Sequence, residues 1–280
     1  MIDVRHMTVD DYSFAVRVAN VEGWDYEIQD LARFANIFPE GLLLAEEETR
    51  KLGWMLAGVY GNLMWIGSLV VQSDARGRGI GSSLMENAME YAREKRVQTV
   101  ALYSHPQATA FYSKLGFVSH GTYVSYQGTS ENVKETNVGI RKPEIEEVLA
   151  LDRRYFLGDR SRLLRALWKE FGELFLSSSD GQMNGYISGR KYSNGTAEIG
   201  PWVCVAGEND VADSLLETEL SRIDSAKINI VVPESNRDAL SVLENYEFKV
   251  EQRSPLMFKG KMEDLPKADG IYAAGAWEIG

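Results

Sequence analysis

Leu69-Val70-Val71-Gln72-Ser73-Asp74-Ala75-Arg76-Gly77-Arg78-Gly79-Ile80-Gly81 joins an apolar, strand-like run to a helical one. Upstream, residues 63–71 are almost wholly apolar. Downstream, Leu84, Met85, Ala88, Met89 and Ala92 recur at helical spacing. Glycines let successive backbone N–H groups turn toward one point without a Cβ clash. The N-terminus of the following helix adds unpaired N–H donors and a positive dipole end. A strand, an Arg/Gly loop and a helix in this order therefore predict a phosphate or pyrophosphate cradle. Arg76 and Arg78 supply charge-assisted donors. Gly77, Gly79, Ile80 and Gly81 supply backbone. Ser82 and Ser83 either add donors or simply cap the helix. No G-x-G-x-x-G is present and no Gly-Lys-Ser/Thr ends the loop, so neither a dinucleotide fold nor a Walker loop fits.

Outward from this loop, residues 52–60 and 63–71 read as a hairpin turned at Gly61-Asn62. Before it come a strand over 2–7, a helix over 12–21 capped by Thr8 with Asp11, a second helix over 28–37 and a strand over 42–46. After it come a helix over 81–96, a strand over 97–103, a short helix over 108–115 and a strand over 117–126. Polar residues 127–141 lack periodicity and read as a linker closed by Lys142-Pro143. A second α/β region follows, with helices over 144–152, 160–171, 211–223 and 237–246. Its strands are over 174–178, 184–188, 197–205, 227–232 and 248–257. The two halves resemble each other. Gly53-Trp54-Met55 followed by Ile66-Gly67-Ser68 lines up with Gly185-Tyr186-Ile187 followed by Ile199-Gly200-Pro201, and the two offsets differ by one residue. Residues 108–117 likewise match 239–248, which favours a duplicated fold.

Composition narrows the function. The 280 residues carry a formal charge of −11, which argues against nucleic acid as a partner. With 44% hydrophobic residues, the chain reads as a globular protein of about two domains. No apolar run approaches the ~20 residues of a membrane span, and no apolar stretch follows the N-terminus, so a cytoplasmic protein without a membrane partner is expected. One cysteine and three histidines show no metal-ligand spacing, so no metal is expected.

The run 69–81 resembles the acetyl-CoA-binding motif of the GNAT (GCN5-related N-acetyltransferase) superfamily. Ala108-Thr109-Ala110-Phe111-Tyr112-Ser113-Lys114-Leu115-Gly116-Phe117 resembles that superfamily's second signature. Leu151-Asp152 with Gly158-Asp159-Arg160 is similar to the opening of the second half in tandem GNAT proteins. The resemblance implies an α/β fold (α+β by some schemes) of two GNAT-like domains, each a mixed, mostly antiparallel twisted sheet flanked by helices. The domains would be 1–127 (active), 128–143 (linker) and 144–280 (degenerate).

By the same resemblance, Leu69, Val70 and Val71 present backbone groups to pantetheine and thioester, and Arg76 to Ser82 hold the pyrophosphate. Tyr112 protonates the departing thiolate; a phenol, with reference pKa near ~10, is neutral at pH 7. Three positions depart from the family pattern. His105 stands where many members have a pantetheine-contacting asparagine. Trp65 stands where some carry a catalytic glutamate. A base could instead come through water, or from Glu22 or Asp25, with Glu22 the candidate. Trp24 and Tyr26 are candidates for binding a cationic amine. In the second half, Leu243 replaces Tyr112, and Val205-Ala206-Gly207-Glu208-Asn209-Asp210-Val211 has two acids and no arginine, so no CoA binding is expected there.

The expected activity is N-acetyl transfer from acetyl-CoA to the primary amine of a small molecule, by direct attack. The alternatives are a protein or peptide amine acetyltransferase and a non-catalytic acyl-CoA sensor. Monomer and homodimer both stay open, and the Gly/Ala-rich residues 271–280 have no assigned place.

Overall fold

The computed structural model describes residues 2–130, 133, 139–178 and 183–280. Part of the central linker (131, 132 and 134–138) lies outside the described residues. The first half runs β1 (Ile2–His6), α1 (Tyr12–Val21), α2 (Ile28–Ile37), β2 (Leu42–Glu47), β3 (Arg50–Tyr60), β4 (Leu63–Val71), α3 (Ile80–Glu94), β5 (Thr99–Tyr103), α4 (Thr109–Lys114) and β6 (Val118–Gly128). The second runs β7 (Ile140–Arg141), α5 (Ile145–Tyr155), α6 (Ser161–Phe171), β8 (Phe175–Ser178), β9 (Gly185–Lys191), β10 (Thr196–Cys204), α7 (Asn209–Ile223), β11 (Lys227–Pro233), α8 (Arg237–Glu244), β12 (Lys249–Lys259) and β13 (Ile271–Ala273).

Local chemistry explains the first half well. Thr8 and Asp11 form the reciprocal cap ahead of α1. Gly61 at φ 68° closes the two-residue turn that pairs Tyr60 with Leu63. β3 and β4 are buried on both faces, which is why they read as continuous apolar runs rather than alternating ones. Trp54, Leu56 and Trp65 face α1, α2 and the second half. Met55, Ala57, Met64 and Ile66 face α3 and α4. A third core, under α7 and α8, belongs to the second half.

The sheet is one continuous surface, in the order β1-β2-β3-β4-β5-β12-β6-β11-β10-β9-β8-β7, with β13 on β10. The terminal strands are exchanged. β12 pairs antiparallel with β5 (Leu256 opposite Tyr103), and β6 pairs antiparallel with β11 (Ser125 opposite Val231). β6 and β12 thus each complete the other half's sheet.

Each half has a parallel pair that parts partway along. β4 meets β5 only over Leu63–Trp65, opposite Thr99–Ala101. The β3–β4 register then shifts, with Ser68 held in the left-handed region at φ 57°. β10 meets β11 only over Thr196–Ile199, after which its register to β9 shifts. In the second half the opening is filled. β13 pairs with Trp202 and Val203 of β10, and Ala274 N–H donates to Val231 C=O of β11 at 2.8 Å. The tail that the sequence left unplaced is therefore buried structure. It ends against a buried ion pair, Arg160–Asp152 at 2.7 Å. Arg160 also donates to Gly280 C=O at 2.8 Å, and Tyr186 donates to Asp152 at 2.6 Å.

Candidate active site

The Arg/Gly loop leaves β4 and enters α3 at Gly79. Gly77 and Gly79 have φ of 77° and 85°, where L side chains are strained, and a Cβ on either would meet nothing within 4 Å. The surface over both glycines is thus open. No side chain caps α3, so its first N–H groups face that open surface. Ile80 is buried and anchors the helix, while Gly81, Ser82 and Ser83 are half-buried.

Both loop arginines are paired with carboxylates. Arg76 bonds Val71 C=O through Nε at 3.0 Å and reaches Glu22 through its guanidinium. Arg78 pairs with Glu47 at 2.6 Å. These exposed pairs are weak, so a polyanion can displace the carboxylates at little cost. Glu22 caps the end of α1 and faces this loop.

Leu69, Val70 and Val71 form the end of β4 beyond the parting from β5. Val70 is buried opposite Trp54, whereas Leu69 and Val71 are half-buried. Tyr112 on α4 is buried, beside Phe111 at 5.0 Å and Phe117 at 6.0 Å. Burial pushes its phenol up to about 12, so it holds its proton across the neutral range. His105 starts the turn before α4, its ring accepting from Gln107 N–H at 3.3 Å.

On the other face of β4, Tyr26 is buried, its ring edge-on to Trp54 at 5.5 Å and its hydroxyl bonded to Ser68 Oγ. Trp24 is 41% exposed. The two aromatics therefore part company: Tyr26 fixes the bulge, and Trp24 lies on the surface. Asp25 takes φ 53° in the turn between them.

Tail residues that sequence reasoning missed complete this face. Trp65 donates its indole N–H to Trp277 C=O at 3.4 Å, and Trp277 packs on Tyr103 at 5.2 Å. Tyr103 in turn packs on Trp65 at 4.7 Å and Tyr123 at 4.5 Å. Glu278 lies over Gly67: a Cβ there would come within 2.9 Å of the Glu278 Cβ and 2.4 Å of its carbonyl oxygen. Arg190 on β9 donates to Glu278 at 3.1 Å and to Glu198 on β10 at 2.6 Å. The one sequence signal for this contact is a glycine at 67 inside an otherwise bulky strand.

Two shallow depressions, about 510 and 370 Å3, lie elsewhere. One is at Met85, Arg93 and Lys259 and the other at Phe38, Tyr91 and Arg162, neither of them lined by β4 or the loop. Among the described residues no three His, Cys, Asp or Glu side chains gather as a metal site, and no helix is long and apolar enough to cross a membrane.

The fourth strand thus bulges and parts from the fifth, and an open glycine loop and an uncapped helix follow it. Residues 3–117 match the acetyltransferase (GNAT) family, and residues 148–273 match a second acetyltransferase (GNAT) domain. The chain belongs to the GNAT superfamily, in its tandem form, and is an acyltransferase of that family. Holothin acyltransferase of Pseudoalteromonas sp. (strain SANK 73390) is 25% identical over 98% of this chain and 92% of its own length. The uncharacterized N-acetyltransferase YitH of Bacillus subtilis (strain 168) is 24% identical over 79% of this chain and 78% of its own. A Pyrococcus horikoshii protein described as an acetyltransferase has the same fold at TM-score 0.85, with 24% identity, over 100% of this chain and 96% of that one. A tandem GNAT protein from the clavulanic acid biosynthesis pathway aligns at TM-score 0.67 and 14% identity, covering 93% of this chain and 98% of that one.

Proposed function

We propose that the chain moves an acetyl group from acetyl-CoA to a primary amine of a small molecule by direct attack, at one site in the first half. The observation that carries this reading is a coincidence unique to that half. Among the described residues, only there do a parted β4–β5 pair, an open loop with two arginines and a buried phenol on α4 occur together. The fit to the cofactor is physical. Arg76, Gly77, Arg78, Gly79, Ile80, Gly81 and Ser82 offer N–H groups and cations to a pyrophosphate. The backbone of Leu69, Val70 and Val71 lines the gap that would take pantetheine, and its N–H groups would stabilise the oxyanion. The Tyr112 phenol, which its raised pKa keeps protonated at neutral pH, gives its proton to the departing thiolate.

In the second half the equivalent gap holds β13, which supports a single cofactor site per chain. A small acceptor is supported by the cover over the acceptor face of β4, where α5, α6 and the tail share one core with α1 and α2. A relative named for one acceptor, holothin, is in keeping with it. The test is thiol release from acetyl-CoA over polyamines, amino acids, amino sugars and short peptides. Turnover with small amines and at least roughly tenfold slower turnover by Tyr112→Phe, at unchanged acetyl-CoA affinity, is the expected result. Peptides alone being acetylated would overturn the small-molecule reading, and an unaltered Tyr112→Phe turnover would remove the acid.

A further inference from the structure

We infer that Glu278, delivered by the C-terminal tail, is the acceptor-side carboxylate of this transferase and takes the proton from the attacking amine. The inference rests on the acetyl-transfer reading above and deepens it by supplying the base.

Position carries the argument. β4, from Leu63 to Val71, contains no acid or base of its own. Its one glycine on the acceptor face, Gly67, is where Glu278 is seated, with backbone and Cβ in the space a side chain would fill. The next residue, Ser68, is the bulge itself, so Glu278 is seated two residues before Leu69, where the strand turns its backbone toward the gap. Trp277 and Glu278 are partly buried, the Glu278 side chain 18% exposed, whereas residues 271–276, 279 and 280 are buried. Trp277 packs on Tyr103 at the end of β5, so the pair spans the mouth between β4 and β5.

The tail is held from both sides. β13 is paired to β10 upstream, and Arg160 grips Gly280 C=O downstream. Tyr60 also donates to Ile279 C=O at 3.1 Å. A side chain between two such anchors loses little entropy on meeting a substrate. The charged groups around it are Arg190 on β9, Glu198 on β10 and Asp30 on α2, with Tyr26 and Tyr192 at the margin. Burial raises the carboxyl and Arg190 opposes that rise, leaving it at about 7, near the value suited to a base at neutral pH.

The step balances. The amine nitrogen forms the C–N bond at the thioester carbonyl carbon, and its proton passes to the Glu278 carboxylate. The C–S bond then breaks, and the thiolate takes the Tyr112 phenol proton. By contrast Glu22 is engaged with Arg76 at the pyrophosphate loop, on the cofactor side.

The experiment is Glu278→Gln, assayed with the best acceptor of the thiol-release screen and acetyl-CoA. We expect kcat to fall about 100-fold or more with acetyl-CoA KM within about twofold, and the acid limb of the wild-type kcat/KM profile near pH 7 to disappear. Glu278→Asp should keep a limb and part of kcat. Arg190→Lys, which loosens the pairing, should move the limb upward. A tail that only props the fold would lower the melting temperature of Glu278→Gln and leave its pH profile unmoved; that result overturns the inference, as does wild-type kcat. If wild-type enzyme releases no thiol with any amine, the acetyl-transfer reading fails instead. Should Glu278→Gln fold poorly, the Asp and Arg190→Lys profiles decide alone: an unshifted limb in both overturns the base assignment.

Discussion

Glu219 offers a quantitative test of the second half. It lies on the sheet-facing side of α7, fully buried, and neither carboxyl oxygen has a hydrogen-bond partner among the described residues. Gly189 on β9 makes room for it: a Cβ there would fall 2.1 Å from Oε1. Burial raises its pKa from 4.5 to about 8, only partly offset by Arg222 and Lys191. The folded protein therefore holds this proton more tightly than the unfolded chain. For such a group stability is full below the unfolded pKa and is lost as pH rises through the folded one. Each unit between the two values costs about 1.4 kcal/mol, so ionisation of the unfolded chain lowers stability by ~3 kcal/mol at pH 7 and ~5 kcal/mol above pH 8. Glu219→Gln keeps the size and never ionises. Urea unfolding followed by tryptophan fluorescence should find it equal to wild type near pH 4.5 and increasingly more stable toward pH 8. Glu219→Leu also removes the unpartnered polar group and should gain at every pH. A wild-type-minus-Gln difference that stays flat from pH 4.5 to 8.5 would refute a neutral buried Glu219.

Two further outcomes follow from the first half and its seam. Gly79→Asp puts a carboxylate in the cradle at a φ of 85°; combined with Arg76→Ala it should weaken CoA binding by roughly 100-fold or more in calorimetry, and retained affinity would sink the loop assignment. Asp152→Asn leaves the Arg160 guanidinium buried beside a neutral amide. Breaking such a pair costs about 3–5 kcal/mol, readable as a lower urea midpoint, and the released Gly280 contact should also slow turnover.

The elements were legible where chemistry is local. β4 from Leu63 to Val71 is apolar to its last residue and stops at a glycine-rich loop, so its bounds follow from sequence. α3 starts where Gly79 forces a left-handed turn. The duplication also showed through, because Gly67 and Gly200 both mark a bulged strand. What the chain did not disclose is non-local. β6 and β12 have interchangeable patterns, and nothing in either says which half's sheet it joins. Residues 271–280 lack periodicity because their order comes from β10, Arg160 and Trp65, not from their own backbone preferences. Glu278 is invisible for the same reason: a lone acid among small residues acquires a role only when Gly67, far back in the sequence, leaves it a seat.

These non-local contacts bind the two halves into one sheet. β5 would be an unpaired sheet edge without β12, and edges of that kind invite wrong pairing. β6, left alone, would lose both β11 and β12. The first half is thus incomplete as a sheet even though it holds the loop and Tyr112. The second half gives up its own cofactor gap to β13, and that same insertion directs the last residues of the chain across the seam onto Gly67. A tail that left the β10–β11 gap free for a cofactor would have no anchor from which to present Trp277 and Glu278 to β4.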